Sequence, residues 1–275
     1  MRETLYVFLQ KTQLAKGSYF AKHKERTEGT EEEQSQKKLP QVQISDELRE
    51  QFAEGKVLLI DKPLHWTSFD AVRKIRNTIK IKKVGHAGTL DPLATGLLII
   101  CTGKFTKKIN EYMAREKEYT GSFTLGAVTP TYDKESAPQD FKDWSTVTED
   151  QIRAAAKNFI GEIQQFPPIY SAIKKEGVAL YELARRGEEA ELVARTITIS
   201  VFEITNIKMP EVHFRVVCGT GTYIRSLAHD MGAALGCGAY LSELKRTRIG
   251  EYSVNDAVTM EGFLQEVSIK KEPSG

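Results

Sequence analysis

A chain of 275 residues that is 40% hydrophobic and 9% aromatic can bury a sizeable core in one large or two modest domains. Its longest apolar runs, residues 97–101 and 57–60, are strand-sized and exclude a membrane-spanning helix, and nothing at its start reads as a signal peptide. A formal net charge of +2 excludes polyanion binding through bulk charge, and three scattered cysteines, Cys101, Cys218 and Cys237, argue against a disulfide scaffold or a zinc site and fit a reducing cytoplasm.

Residues 1–20 mix apolar and basic side chains and hold one short helix or strand around Leu5-Tyr6-Val7-Phe8-Leu9. Residues 21–38 are almost wholly polar and charged, so they lack the apolar area to offset ordering entropy and read as a disordered linker. With one or two amphipathic turns expected in 41–54, residues 1–54 form an N-terminal extension and the folded body begins at 55. That body opens on the strand Val57-Leu58-Leu59-Ile60, stopped at Asp61-Lys62-Pro63.

Thr67 or Ser68 then caps a helix whose core face is Phe69, Val72, Ile75 and Ile79. Nine basic residues (Arg73, Lys74, Arg76, Lys80, Lys82, Lys83, Lys104, Lys107 and Lys108) lie between Asp70 and Lys108, against two acidic ones, Asp70 and Asp91. Such a run is either a solvated face or a phosphate-binding rim, and its position on both sides of the loop 85–96 favours a nucleic-acid substrate. In that loop Asp91 is the only carboxylate; glycines permit sharp backbone and Pro92 fixes the turn after the acid, as a reactive side chain requires. A turn-capping Asp91 and a satisfied polar His86 are the alternative.

A buried strand over 97–101, a helix over 105–113 and a strand over 117–125 follow. Tyr119, Phe123 and Leu125 share one face of that strand, so Tyr119 is either core or site. A helix over 149–160 buries Ile152, Ala156, Phe159 and Ile160. Residues 166–190, with Pro167, Pro168 and a basic patch, form an exposed insertion. Strands over 195–207 and 213–218 turn near Met209-Pro210. The next helix is capped by Thr220 or Thr222 and carries Arg225, either a surface arginine or a partly buried one that wants a carboxylate. A short helix over 256–264 and a polar tail, 265–275, end the chain.

The strings Gly85-His86-Ala87-Gly88-Thr89-Leu90-Asp91-Pro92-Leu93-Ala94-Thr95-Gly96, Lys117-Glu118-Tyr119, Gly126-Ala127-Val128-Thr129-Pro130-Thr131-Tyr132-Asp133, Gly221-Thr222-Tyr223-Ile224-Arg225-Ser226-Leu227-Ala228 and Leu241-Ser242-Glu243-Leu244-Lys245-Arg246-Thr247 resemble the TruB family of pseudouridine synthases, over residues 55 to 263. Ser136 and Lys245 depart from the glycine and arginine common there. The resemblance implies an α/β (α+β) catalytic domain over 55–264, with a mixed, mainly antiparallel sheet flanked by helices, an RNA cleft and an RNA-clamping insertion at 166–190; the C-terminal PUA domain that many members carry is not expected here, where only 12 residues follow Phe263. It implies a catalytic Asp91 partnered by Arg225, with Tyr119 against the target base and a candidate to shuttle its C5 proton. Tyr223 beside the base, Leu244 lining its pocket, His86 filling the vacated place, and Thr89 and Lys62 would bind substrate.

The implied reaction isomerises the T-loop uridine of tRNA, position 55 in tRNA numbering, by cleaving its glycosidic bond, turning the base and rejoining it through carbon. It implies the tRNA T-arm as partner, a monomer in the cytoplasm, and neither cofactor nor metal; the histidines at 23, 65, 86, 213 and 229 show no ligand spacing. A carboxylate near C1′ can stabilise positive charge on the sugar, attack it, or remove a sugar proton, and the sequence leaves these routes open. A guide-dependent or other-RNA synthase and a tRNA-folding chaperone are alternatives; a metal-dependent RNA hydrolase is disfavoured by the missing ligands.

Overall fold

The computed structural model describes residues 39–40, 42–171, 174–175, 178–179, 186 and 192–269. The expectations for residues 1–38 and for most of the 166–190 insertion lie outside the described residues.

Helix α1 (Asp46–Glu54) starts at Ser45, whose hydroxyl accepts from the Leu48 amide at 3.1 Å, and buries Phe52. Strand β1 (Val57–Lys62) leads to α2 (Ser68–Ile79), which opens on a capping box: Thr67 and Asp70 each accept a backbone amide from the other, at 2.9 and 3.0 Å. Strands β2 (Val84–His86) and β3 (Ala94–Thr102) flank the aspartate loop. A 3-10 turn (Gly103–Lys108) and a short α3 (Ile109–Met113) replace the single helix expected over 105–113, before β4 (Lys117–Leu125).

The second half contains α4 (Glu149–Lys157), β5 (Gly161–Gln165), the two-residue ladder of β6 (Lys174–Lys175) and β7 (Val178–Ala179), β8 (Arg195–Lys208), β9 (Glu211–Cys218) and α5 (Ile224–Ala234). It ends with β10 (Ala239–Ile249), β11 (Tyr252–Ser253), β12 (Val258–Thr259) and α6 (Met260–Val267), so the last helix begins later than the expected 256. Strands β8 and β9 turn at Met209-Pro210, where the sequence places it, with a cis bond.

Among the described residues the main sheet runs β12-β1-β3-β10-β4-β9-β8-β5, with β2 on β3 and β11 on β10. Its pairings are antiparallel except β3 with β10 and β1 with β12. The mixed, mainly antiparallel sheet is thus as expected. Strand β3 is buried on both faces: Leu98 and Ile100 pack with Val72, Ile75 and Phe263, while Leu97, Ile99 and Cys101 pack with Tyr112 and Ile249. That double burial explains its unbroken apolar run, each fully buried Leu or Ile stabilising by roughly 1.5–3 kcal/mol.

Three local expectations are corrected. Phe69 is 57% exposed, because the buried face of α2 is Ser68, Ala71, Val72, Ile75, Thr78 and Ile79; its ring lies under the Arg73 guanidinium at 5.9 Å. Ile160 is exposed because α4 ends at Lys157 and the chain turns into β5. Neither Thr220 nor Thr222 caps α5: the Tyr223 amide instead donates to the Gln165 side chain at 2.8 Å, and the Thr222 hydroxyl donates to Gly219 O at 3.0 Å. In addition, Ile44 and Phe52 join the core built on Met260 and Phe263, so the stretch just before residue 55 packs onto the body.

Candidate active site

The parallel pairing of β3 with β10 brings the site together. Ala94, three residues after Asp91, pairs with Leu244, and a separate bridge sets Asp133 beside Leu241 on the same strand. Asp91, Leu93, Ala94, Asp133, Lys134, Leu241, Ser242, Glu243 and Leu244 line one pocket. Leu244 therefore lies beside Asp91, whereas the pocket wall does not include Tyr119, Tyr223, His86, Thr89 or Lys62.

Arg225 enters from the first turn of α5. Its Nη2 donates to Asp91 Oδ1 at 3.3 Å; its Nε lies 2.9 Å from Asp91 Oδ2, off the line of a hydrogen bond, so that contact is one of charge. The pairing is thus a lopsided fork. The Asp91 side chain is 39% exposed and that of Arg225 7%, so a buried cation steers an acid that solvent or substrate can reach. Arg225 also donates from Nη1 to Thr131 O and from Nη2 to Tyr170 O, both at 3.1 Å.

A second carboxylate sits behind the first. Asp133 Oδ2 is 3.7 Å from Arg225 Nε, and Asp133 Oδ1 accepts from the Thr131 hydroxyl at 2.6 Å and from the Glu135 amide at 3.0 Å. Burial pushes the Asp133 pKa up, against the pull of Arg225 and of those two donors. In the sequence, Asp133 stands inside the string 126–133 with no role marked by its neighbours.

The aspartate loop is held from two sides. The Ser68 hydroxyl accepts from the Leu90 amide at 2.8 Å and donates to Leu90 O at 3.1 Å, and the His65 amide donates to Pro92 O at 2.8 Å. From β10, the buried Arg246 donates from Nε to Leu97 O at 2.8 Å and from Nη2 to Gly88 O at 3.1 Å. Gly96, at φ 100°, lets β10 pass: a Cβ there would sit 2.3 Å from Arg246 O. Both Ser68 and Arg246 stood in the sequence without an assigned part, Ser68 as an optional cap.

The other sequence candidates are distributed around this centre. Tyr119 is a core residue of β4, directly opposite Arg246, with its phenol pKa raised by burial. Tyr223 starts α5, its carbonyl and amide both bonded to the Gln165 side chain; burial raises its phenol pKa, against a hydrogen bond with Ser171. His86 is half-buried in β2, and burial together with the Arg246 charge lowers its pKa, leaving the ring neutral at pH 7. Lys62 is fully buried and donates to Pro63 O at 2.9 Å and Trp66 O at 2.6 Å, so it braces the β1–α2 loop; burial brings its pKa down to about 8. Thr89 is exposed, with its carbonyl towards Arg246.

The basic run divides in two. Arg73 pairs with Asp70, Lys74 donates to Leu39 O and Pro40 O, Arg76 donates to Val84 O, and Lys104 pairs with Glu54. Lys80, Lys82, Lys83, Lys107 and Lys108 are exposed and supply the positive rim available to a polyanion. No group of His, Cys, Asp and Glu among the described residues has a metal-binding arrangement, and no described helix is long and apolar enough to cross a membrane.

Comparison with known proteins gives a consistent set of relatives. Residues 76–224 match the TruB family pseudouridylate synthase N-terminal domain, and residues 225–274 match the tRNA pseudouridylate synthase B C-terminal domain. The chain is 54% identical over 221 residues to the tRNA pseudouridine synthase B of Flavobacterium johnsoniae, covering 78% of this chain and 96% of that protein. It is 49% identical over 218 residues to that of Phocaeicola vulgatus, covering 77% and 93%. A chain of the solved Cbf5-Nop10-Gar1 complex superposes with a TM-score of 0.62 at 31% identity, over 82% of this chain but only 59% of that one.

Proposed function

The chain belongs to the TruB family of pseudouridylate synthases, and from that premise we propose that it isomerises uridine 55 in the T-loop of tRNA to pseudouridine. The observation that carries this reading is the Asp91–Arg225 pair, closed at 2.9 Å between a loop and a helix far apart in sequence. A carboxylate so aimed, and still open to solvent, has the chemistry to meet the positive charge that develops at C1′ when a glycosidic bond breaks. The reaction is an isomerisation, with no net redox change and no demand for a cofactor.

A uridine within folded RNA must first leave its stack, at roughly a few kcal/mol, less in a loop than in a helix. Tyr119 and Tyr223 return part of that through base–aromatic contact worth roughly 1–3 kcal/mol each, Leu244 shields the pocket from water, and neutral His86 takes the vacated place. Tyr119 is the candidate to relay the proton leaving C5. Thr89 contacts the RNA from its exposed position, and Lys62 acts indirectly through the loop it braces. Exposed lysines on the rim meet the phosphates, so affinity falls steeply with added salt.

The insertion at 166–190 serves as the clamp on the T-arm stem-loop. Its base is fastened to α5 beside Arg225, through Tyr170 O and through Phe166 O, which accepts from the Ser226 hydroxyl at 2.8 Å. The protein acts as a monomer in the cytoplasm, with the N-terminal extension, residues 1–54, outside the catalytic machinery. The test is incubation of purified protein with an unmodified tRNA transcript, without guide RNA or partner, followed by carbodiimide mapping. Pseudouridine at position 55 alone is the expected result; its absence, or its appearance only when a guide is added, overturns the reading.

A further inference from the structure

Arg246 is a fully buried guanidinium for which no carboxylate among the described residues provides a counterion. Its charge is met by carbonyl dipoles instead: Leu97 O at 2.8 Å, Gly88 O at 3.1 Å and, at the outer limit of a hydrogen bond, Thr89 O at 3.5 Å. A buried cation is costly unless its donors are satisfied, and carboxylate pairing is the usual remedy. Placing one behind the aspartate loop therefore calls for a reason beyond packing.

The strand register supplies that reason. Gly96 on β3, Arg246 on β10 and Tyr119 on β4 form one row across three adjacent strands, with Arg246 in the middle. One planar group with five N–H donors is thus bonded to the loop that carries Asp91, while its residue is the direct cross-strand partner of Tyr119. We propose that Arg246 is a positioning residue that locks the aspartate loop and the Tyr119 phenol into one fixed relation, so that both meet the same nucleoside. Burial drives the phenol pKa up, and the nearby positive charge of the guanidinium opposes that rise.

The inference rests on the reading of the chain as a pseudouridine synthase, and its test separates the two. Arg246→Met, Arg246→Lys, Tyr119→Phe and the Arg246→Met/Tyr119→Phe double variant of the full chain are assayed for kcat and KM on tRNA transcript, with stability followed by urea unfolding. Arg246→Met is expected to lower kcat about 10²-fold, the effect of a reacting group displaced by about 1 Å, with KM changed less than about threefold. Arg246→Lys, which keeps the charge but not the planar fork, is expected to fall between wild type and Arg246→Met. The double variant is expected to lose far less than the product of the two single losses, because both act through the phenol.

A folded Arg246→Met protein with near-normal kcat, or losses that simply multiply with those of Tyr119→Phe, overturns the inference. Should Arg246→Met fail to fold, Arg246→Lys decides: full kcat overturns it, and a kcat loss at unchanged KM supports it. Wild-type protein that forms no pseudouridine would instead overturn the functional reading.

Discussion

Arg225 stands between two acids of unlike surroundings: Asp91 at 2.9 Å, open to solvent, and Asp133 at 3.7 Å, buried. Asp133 lines the same pocket but is buried at its wall, with both of its oxygens engaged. It accepts from the Thr131 hydroxyl and the Glu135 amide, and thereby shapes the turn whose Thr131 carbonyl receives Arg225 Nη1. The inner acid fixes the cation, and the cation aims the outer acid.

Asp133→Asn should therefore act on catalysis without touching substrate. Removing the inner negative charge frees the guanidinium to shift, and kcat is expected to fall about 10²-fold with KM close to wild type. Steady-state kinetics on tRNA transcript check this; an unchanged kcat would show that Thr131 and Tyr170 alone suffice to hold Arg225.

Lys62 gives a prediction about pH. Its pKa is brought from 10.5 to about 8 on folding, so between these values the unfolded chain holds a proton that the folded one has released. Stability contributed by this site must then rise with pH across that window, by roughly 2–4 kcal/mol in all, whereas below about pH 8 both states are protonated and the contribution is flat. Urea unfolding of wild type and Lys62→Met should show the stability difference moving in favour of wild type from about pH 8 to 10.5; a difference constant with pH refutes the assignment.

The two faces of α2 make a paired prediction. Ile75 is fully buried and Phe69 is 57% exposed, although helical spacing places both on one stripe. Ile75→Ala is expected to cost roughly 2–5 kcal/mol and Phe69→Ala less than about 1 kcal/mol. Comparable losses in urea unfolding would restore Phe69 to the core.

What the sequence disclosed and what it hid follow one physical division. Asp91 and Arg225 sit in unusual strings, and their meeting is what the strings imply; strands with unbroken or alternating apolar runs, such as β3 and β4, were equally legible. Phe69 and Ile160 were misplaced because periodicity marks a stripe but not how far the core extends along it, which tertiary packing decides. The cap of α5 was misassigned because Gln165, from β5, takes the Tyr223 amide that a local threonine would otherwise serve. Asp133 and Arg246 were present in the quoted strings yet without roles, since only the parallel alignment of β3 with β10 puts them beside the loop, and no local pattern encodes that neighbour. Arginine is ordinarily a surface residue, which hides a buried one from composition alone.

In the proposed reaction one carboxylate, Asp91, steered by one guanidinium, Arg225, performs the chemistry. The direct measurement is pseudouridine formation by Asp91→Asn, mapped by mass spectrometry of tRNA, beside filter binding of the same variant. The expected result is tRNA affinity near that of wild type and no detectable product. Pseudouridine formed at a rate comparable to wild type would contradict it.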